Sequence, residues 1–170
     1  MIKPLFQNIV VAVNGSQSSI HAAMYGILMG KLYRSNVKFV YVVDTATVKR
    51  LTMSKFFIAE ESSEFEHHLR YDGQKYLDYV MKLAASKNVK AECQLREGSV
   101  WLEVVNAASE YKAGLILLGG NGRAEALENH NESSFGRGLF SSTDKEIICN
   151  SHCSVMVVHE PKIEQLFKLA

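Results

Sequence analysis

Asn8-Ile-Val-Val-Ala-Val13 and Val37-Lys-Phe-Val-Tyr-Val-Val43, with the stretch 18–33 between them, decide the fold. Both runs are short, continuous, apolar and rich in β-branched residues, as in strands covered on both faces. Asn14-Gly15-Ser16 stops the first run. Ile20, Ala23, Met24, Ile27, Leu28 and Leu32 then recur at helical spacing, with Ser16, Ser18 or Ser19 available as the N-cap. Strand, helix and strand within about 37 residues form a βαβ unit, which requires parallel pairing.

Working outward, 45–63 has no clear period and is long for a connection, so it is expected to be partly helical or a lid. Phe65, Leu69, Tyr76, Leu77, Val80, Met81 and Leu83 predict a long amphipathic helix over 64–86. Residues 90–95 alternate like a half-buried strand near an edge, and a helix with Trp101, Leu102, Val104, Val105, Ala108 and Tyr111 starts at Glu97-Gly98-Ser99. Strands over 115–118 and 154–158 flank a fourth helix over 142–150. Five strands interleaved with four helices, without repeat or linker, predict an α/β chain: one doubly wound domain over 1–170, with helices on both faces. Its core spans 7–160. The tail 161–170, with Ile163, Leu166 and Phe167, folds back as a short helix or meets another subunit.

The chain has 170 residues, 47% hydrophobic and 22% charged, enough for a core without staples. A net charge of +1, without a Lys/Arg cluster among aromatics, leaves no electrostatic footprint for nucleic acid. Met1-Ile-Lys-Pro-Leu-Phe-Gln-Asn lacks a leader pattern, and no apolar run nears the roughly 20 residues of a membrane span. Three cysteines, Cys93, Cys149 and Cys153, fit no disulfide scaffold. The expectation is a soluble intracellular protein.

Doubly wound sheets take ligands beyond the carboxyl ends of their strands, here Asn14-Gly15-Ser16, Asp44 and Gly119-Gly120-Asn121-Gly122. Glycines let the backbone approach a phosphate, and the hydroxyl-rich helix start Ser141-Ser142-Thr143 offers N–H groups to an anion. The same three residues are good caps without any ligand. Val42 and Asp44 stand at the matching end of the second strand and are candidates for lining such a site, although Val42 is equally a plain core residue. Between the two halves lies the detour 124–135, which carries three Glu and reads most simply as a solvated excursion. Arg123 and Arg137 flank it, and Arg123, following the glycine turn, is the better placed for phosphate. Cys149, His152 and Cys153 are soft enough for zinc but supply only three ligands, so buried cysteines are the simpler expectation.

The order of these pieces resembles the universal stress protein family. Val11-Ala-Val-Asn-Gly-Ser16, Val40-Tyr-Val-Val-Asp44, Arg96-Glu-Gly-Ser99, Ala113-Gly-Leu-Ile-Leu-Leu-Gly-Gly-Asn-Gly-Arg123 and Ser151-His-Cys-Ser-Val-Met-Val-Val158 are similar to five family motifs in the family's order. The resemblance implies a five-stranded parallel sheet in the order 3-2-1-4-5, a cytoplasmic homodimer paired through the last strands, and, in one branch, ATP between strands one and four. That branch carries Gly, two residues, Gly, nine residues, then Gly with Ser or Thr. Gly119 and Gly122 match its first half, but 18 residues separate Gly122 from Ser141, and Gly136 or Gly138 leave 13 or 15. Asn14 stands where the family has an acid, and Asp144 in the first turn of the fourth helix competes with phosphate for the same N–H groups.

The site implied is Ala12, Val13, Asn14, Val42, Gly119, Gly122, Arg123, Ser141, Ser142 and Thr143, holding ATP or AMP, with Mg2+ as the companion of ATP. The expected function is a dimeric stress-response regulatory module without a catalytic constellation. Two alternatives stay open. One is a nucleotide-free interaction module working through an unknown partner at 124–140 and the tail; the other is slow ATP hydrolysis or autophosphorylation on Ser141, Ser142 or Thr143.

Overall fold

The computed structural model describes residues 4–54, 59–120 and 141–170. Strands β1 (Asn8–Val13), β2 (Asn36–Val43), β3 (Ala91–Glu97), β4 (Leu115–Gly119) and β5 (Ser154–Val158) form a parallel sheet in the order β3-β2-β1-β4-β5, as the resemblance implied. Ile9 pairs with Val37 on one side and Leu115 on the other, so β1 is central and its backbone is satisfied along both edges.

Alternation along β1 sends Ile9, Val11 and Val13 to one face and Val10 to the other. Helices α1 (Gln17–Tyr33) and α3 (Ala59–Ser86) cover the first face, where Ile27, Phe39 and Leu77 are wholly buried. Helices α4 (Val100–Glu110) and α5 (Ser142–Asn150) cover the second, closing over Val10, Val40 and Ile116 with Val104 and Ile147.

The stretch 45–63 is partly helical, one of the two expectations for it. Asp44 caps α2 (Thr45–Met53) by accepting from the Thr47 N–H at 3.0 Å, and among the apolar residues of that helix only Val48 is fully buried, too little for a visible period. Helix α3 begins five residues before Glu64 because Glu60 and Glu61 favour a helix N-terminus although that turn shows no apolar face. The tail folds back as α6 (Ile163–Leu169) on α1, burying Ile163 and Phe167 in the core. Glu164 accepts from Gln17 at 2.9 Å and meets His21 at 3.0 Å, while Lys31 donates to the Ala170 carbonyl at 2.6 Å. No described helix is long and apolar enough to cross a membrane.

If α6 belongs to the core, Phe167→Ala should cost about 3 kcal/mol, the usual loss for a buried aromatic. Urea denaturation measures it; a loss below about 1 kcal/mol would mean that the tail is an appendage.

Candidate functional site

A cavity of about 250 Å3 opens at the carboxyl ends of β1, β2 and β4. Its apolar wall is Ala12, Val40, Val42, Val104, Leu118 and Ile147, continuous with the core beneath α4 and α5. Its polar side is Asn14, Ser18, Ser19, Ser141, Thr143 and Asp144. Ala12, Val13, Asn14, Val42, Gly119, Ser141 and Thr143 are thus brought together, from elements far apart in the chain. Ser142 is exposed and outside the wall, and Asp44 is occupied as the cap of α2. Gly122, Arg123 and the detour 124–140 lie outside the described residues.

The first turn is tightly wired. Asn14 Oδ1 accepts from the Ser16 N–H at 3.0 Å and from Ser16 Oγ at 2.6 Å, so this acceptor already holds the turn. Its Nδ2 has no partner among the described residues and remains as the donor. Ser16 caps α1 through the Ser19 N–H, and Ser19 Oγ accepts from the Asn14 N–H at 3.2 Å. Gly15 has φ +83°, and a Cβ there would come within 2.5 Å of the Tyr76 ring. Tyr76 in turn stacks on Tyr41 at 6.2 Å between centroids. Burial first, and then Tyr76 and Asp72, push the Tyr41 phenol above its ordinary pKa.

Gly119 has a packing role apart from any ligand. A Cβ on it would lie 2.4 Å from the Ser18 carbonyl, so only glycine lets β4 end directly beneath the start of α1. Across the cavity, Ser141 and Asp144 form a capping box. Ser141 Oγ accepts from the Asp144 N–H and an Asp144 carboxylate oxygen accepts from the Ser141 N–H, both at 3.0 Å. The N–H groups of Ser142 and Thr143 have no partner among the described residues, leaving two donors at the positive end of α5.

Two ionic clamps involve the end of β3, which leads into α4 and its wall residue Val100. Arg96 donates to Glu103 at 2.8 Å and to both oxygens of Glu110 at 2.8 and 3.1 Å. Arg70 of α3 donates to Glu97 and, at 3.3 Å, to Glu66. These hydrogen bonds hold the Glu110 and Glu97 carboxyls below the usual glutamate range. Between them Gly98 donates to the Val43 carbonyl at 3.1 Å, tying the ends of β2 and β3 together.

A larger groove of about 830 Å3 lies on the opposite face between α1, α3 and α6, floored by Ile20, Met24, Leu83 and Phe167. No sequence signal marked it. Its charges, Asp72, Lys75, Glu164 and Lys168, balance, and it has neither the glycine turn nor the start of α5. The chemistry suited to an anion is in the smaller cavity. Among the described residues no three His, Cys, Asp or Glu side chains gather as a metal site. Cys93, on the edge strand β3, and Cys149 are exposed rather than buried, and Cys153 is half-buried.

A profile described as the universal stress protein family matches residues 5–159. The chain belongs to that family. Universal stress protein MJ0531 of Methanocaldococcus jannaschii is 34% identical over 161 residues, covering 94% of this chain and 86% of the relative. Among solved structures, hypothetical protein MJ0577 shares the fold with a TM-score of 0.71 at 18% identity, over 93% of this chain and 99% of its own. A universal stress protein family protein from Arabidopsis thaliana with AMP bound gives 0.60 at 13% identity, over 93% and 94%.

In this universal stress protein, Gly119→Ala should lower stability by about 1–3 kcal/mol with no ligand present, as overpacking does. Equal unfolding midpoints would remove the packing role. The clamps predict an acid response. A depressed carboxyl pKa stabilises the fold above the unfolded value of about 4.3, and the gain is lost as pH falls through the folded value. Arg96→Gln should therefore unfold earlier than wild type at pH 7, and the two thermal midpoints should converge as pH drops below about 4.

Proposed function

We propose that this universal stress protein is a stress-response regulatory module that binds an adenine nucleotide, ATP or AMP, between β1 and β4. The observation that carries the reading is one cavity that joins an apolar slot to a glycine-lined, hydroxyl-rich helix start. A flat base suits the wall of Val40, Val42 and Val104. The Asn14 amide faces the sugar, and the free N–H groups of Ser142 and Thr143 meet phosphate oxygens. The volume, about 250 Å3, falls just below the range for drug-sized ligand pockets, about 300–1,000 Å3, which favours a small ligand. AMP in the Arabidopsis relative supports the same ligand class.

Mg2+ would arrive with ATP, and Asp144, with one oxygen not engaged by Ser141, is the carboxylate in the wall. Among the described residues Asp144 is the one carboxylate in the wall and no His or Lys accompanies it, so on this reading the ligand stabilises a conformation rather than turning over rapidly. The module works in the cytoplasm as a homodimer through β5, whose outer edge has no strand partner among the described residues and carries half-buried Val155, Met156 and Val157. Isothermal titration with ATP and AMP tests the binding claim. Saturable heat at micromolar protein is expected, and none with either nucleotide would sink it.

A further inference from the structure

We infer that the cavity selects an adenine ligand of low charge, a nucleoside or nucleoside monophosphate, and that Asp144 discriminates against the triphosphate. This rests on the adenine-nucleotide reading of the same cavity and specifies its ligand. Asp144 is the only charged side chain in the wall among the described residues. Lys145, the next residue in the chain, is exposed and outside it. The described part of the wall thus carries one negative formal charge and no cation.

The position of that charge matters more than its sign. Asp144 is the third residue of α5, where its carboxylate complements the positive helix end that would otherwise attract an anion. The capping box also occupies the Asp144 N–H, leaving Ser142 and Thr143 as the donors at this helix start. Two N–H groups match two oxygens of a single phosphoryl group. Each further phosphate adds negative charge next to a fixed carboxylate and finds no additional donor from this helix. Base and sugar contact Val42, Val104 and Asn14, which are uncharged, so the penalty scales with phosphate number alone. Discrimination of this kind comes from a repulsive element rather than a new contact.

The test is calorimetric titration of the full chain with adenosine, AMP, free ATP and ATP with Mg2+ at constant ionic strength. Free ATP should bind about tenfold more weakly than AMP, the scale of one like-charge contact in a solvent-open cleft, and Mg2+, which neutralises two of its charges, should recover part of that loss. Asp144→Asn keeps an acceptor for the Ser141 N–H, and its thermal midpoint verifies folding. It should bring ATP to within about threefold of AMP while leaving adenosine unchanged. Asp78→Asn, on α3 across the sheet, controls for net charge and should alter none of the affinities. ATP binding as tightly as AMP in the wild type would overturn the inference, as would an ATP to AMP ratio that Asp144→Asn does not move. Silence with all four ligands would instead overturn the nucleotide reading itself.

Discussion

The structure depends on β1 being covered everywhere. Its backbone is hydrogen-bonded to β2 and β4, and its side chains are buried toward α1 on one face and α4 on the other. Parallel neighbours cannot be joined by tight turns, so each connection must cross over a face, and the crossovers supply the helices that cover it. The chain winds from β1 through β2 to β3 in one direction, then returns to place β4 and β5 on the other side. Where the winding reverses, the loops leaving β1 and β4 part, and the small cavity opens between them.

That constraint explains what could be read from the sequence. Strands buried on both faces are runs such as Ile9-Val10-Val11 and Leu115-Ile116-Leu117-Leu118, which survive any uncertainty of register. Segments held by a cap or a single buried side chain left no such trace. Helix α2 depends on Asp44 and Val48, and the first turn of α3, Ala59-Glu60-Glu61-Ser62, has no large apolar residue.

The site was legible as composition and less so as geometry. Gly119 and the hydroxyls of Ser141 and Thr143 marked a strand end and a helix start that the fold brings to one cavity. That Gly119 is needed for contact with Ser18, and that the Asn14 acceptor is already engaged by Ser16, depends on residues converging in space. The same is true of Tyr76, whose position against Gly15 no spacing in α3 announced.

The two rims of the sheet differ in kind. β3 carries Glu92, Arg96 and Glu97, charges that discourage another strand from adding there. β5 is uncharged from Ser154 to Val158. An assembly that uses β5 consumes the one receptive rim of each copy, so growth terminates at two chains and cannot propagate into a fibre.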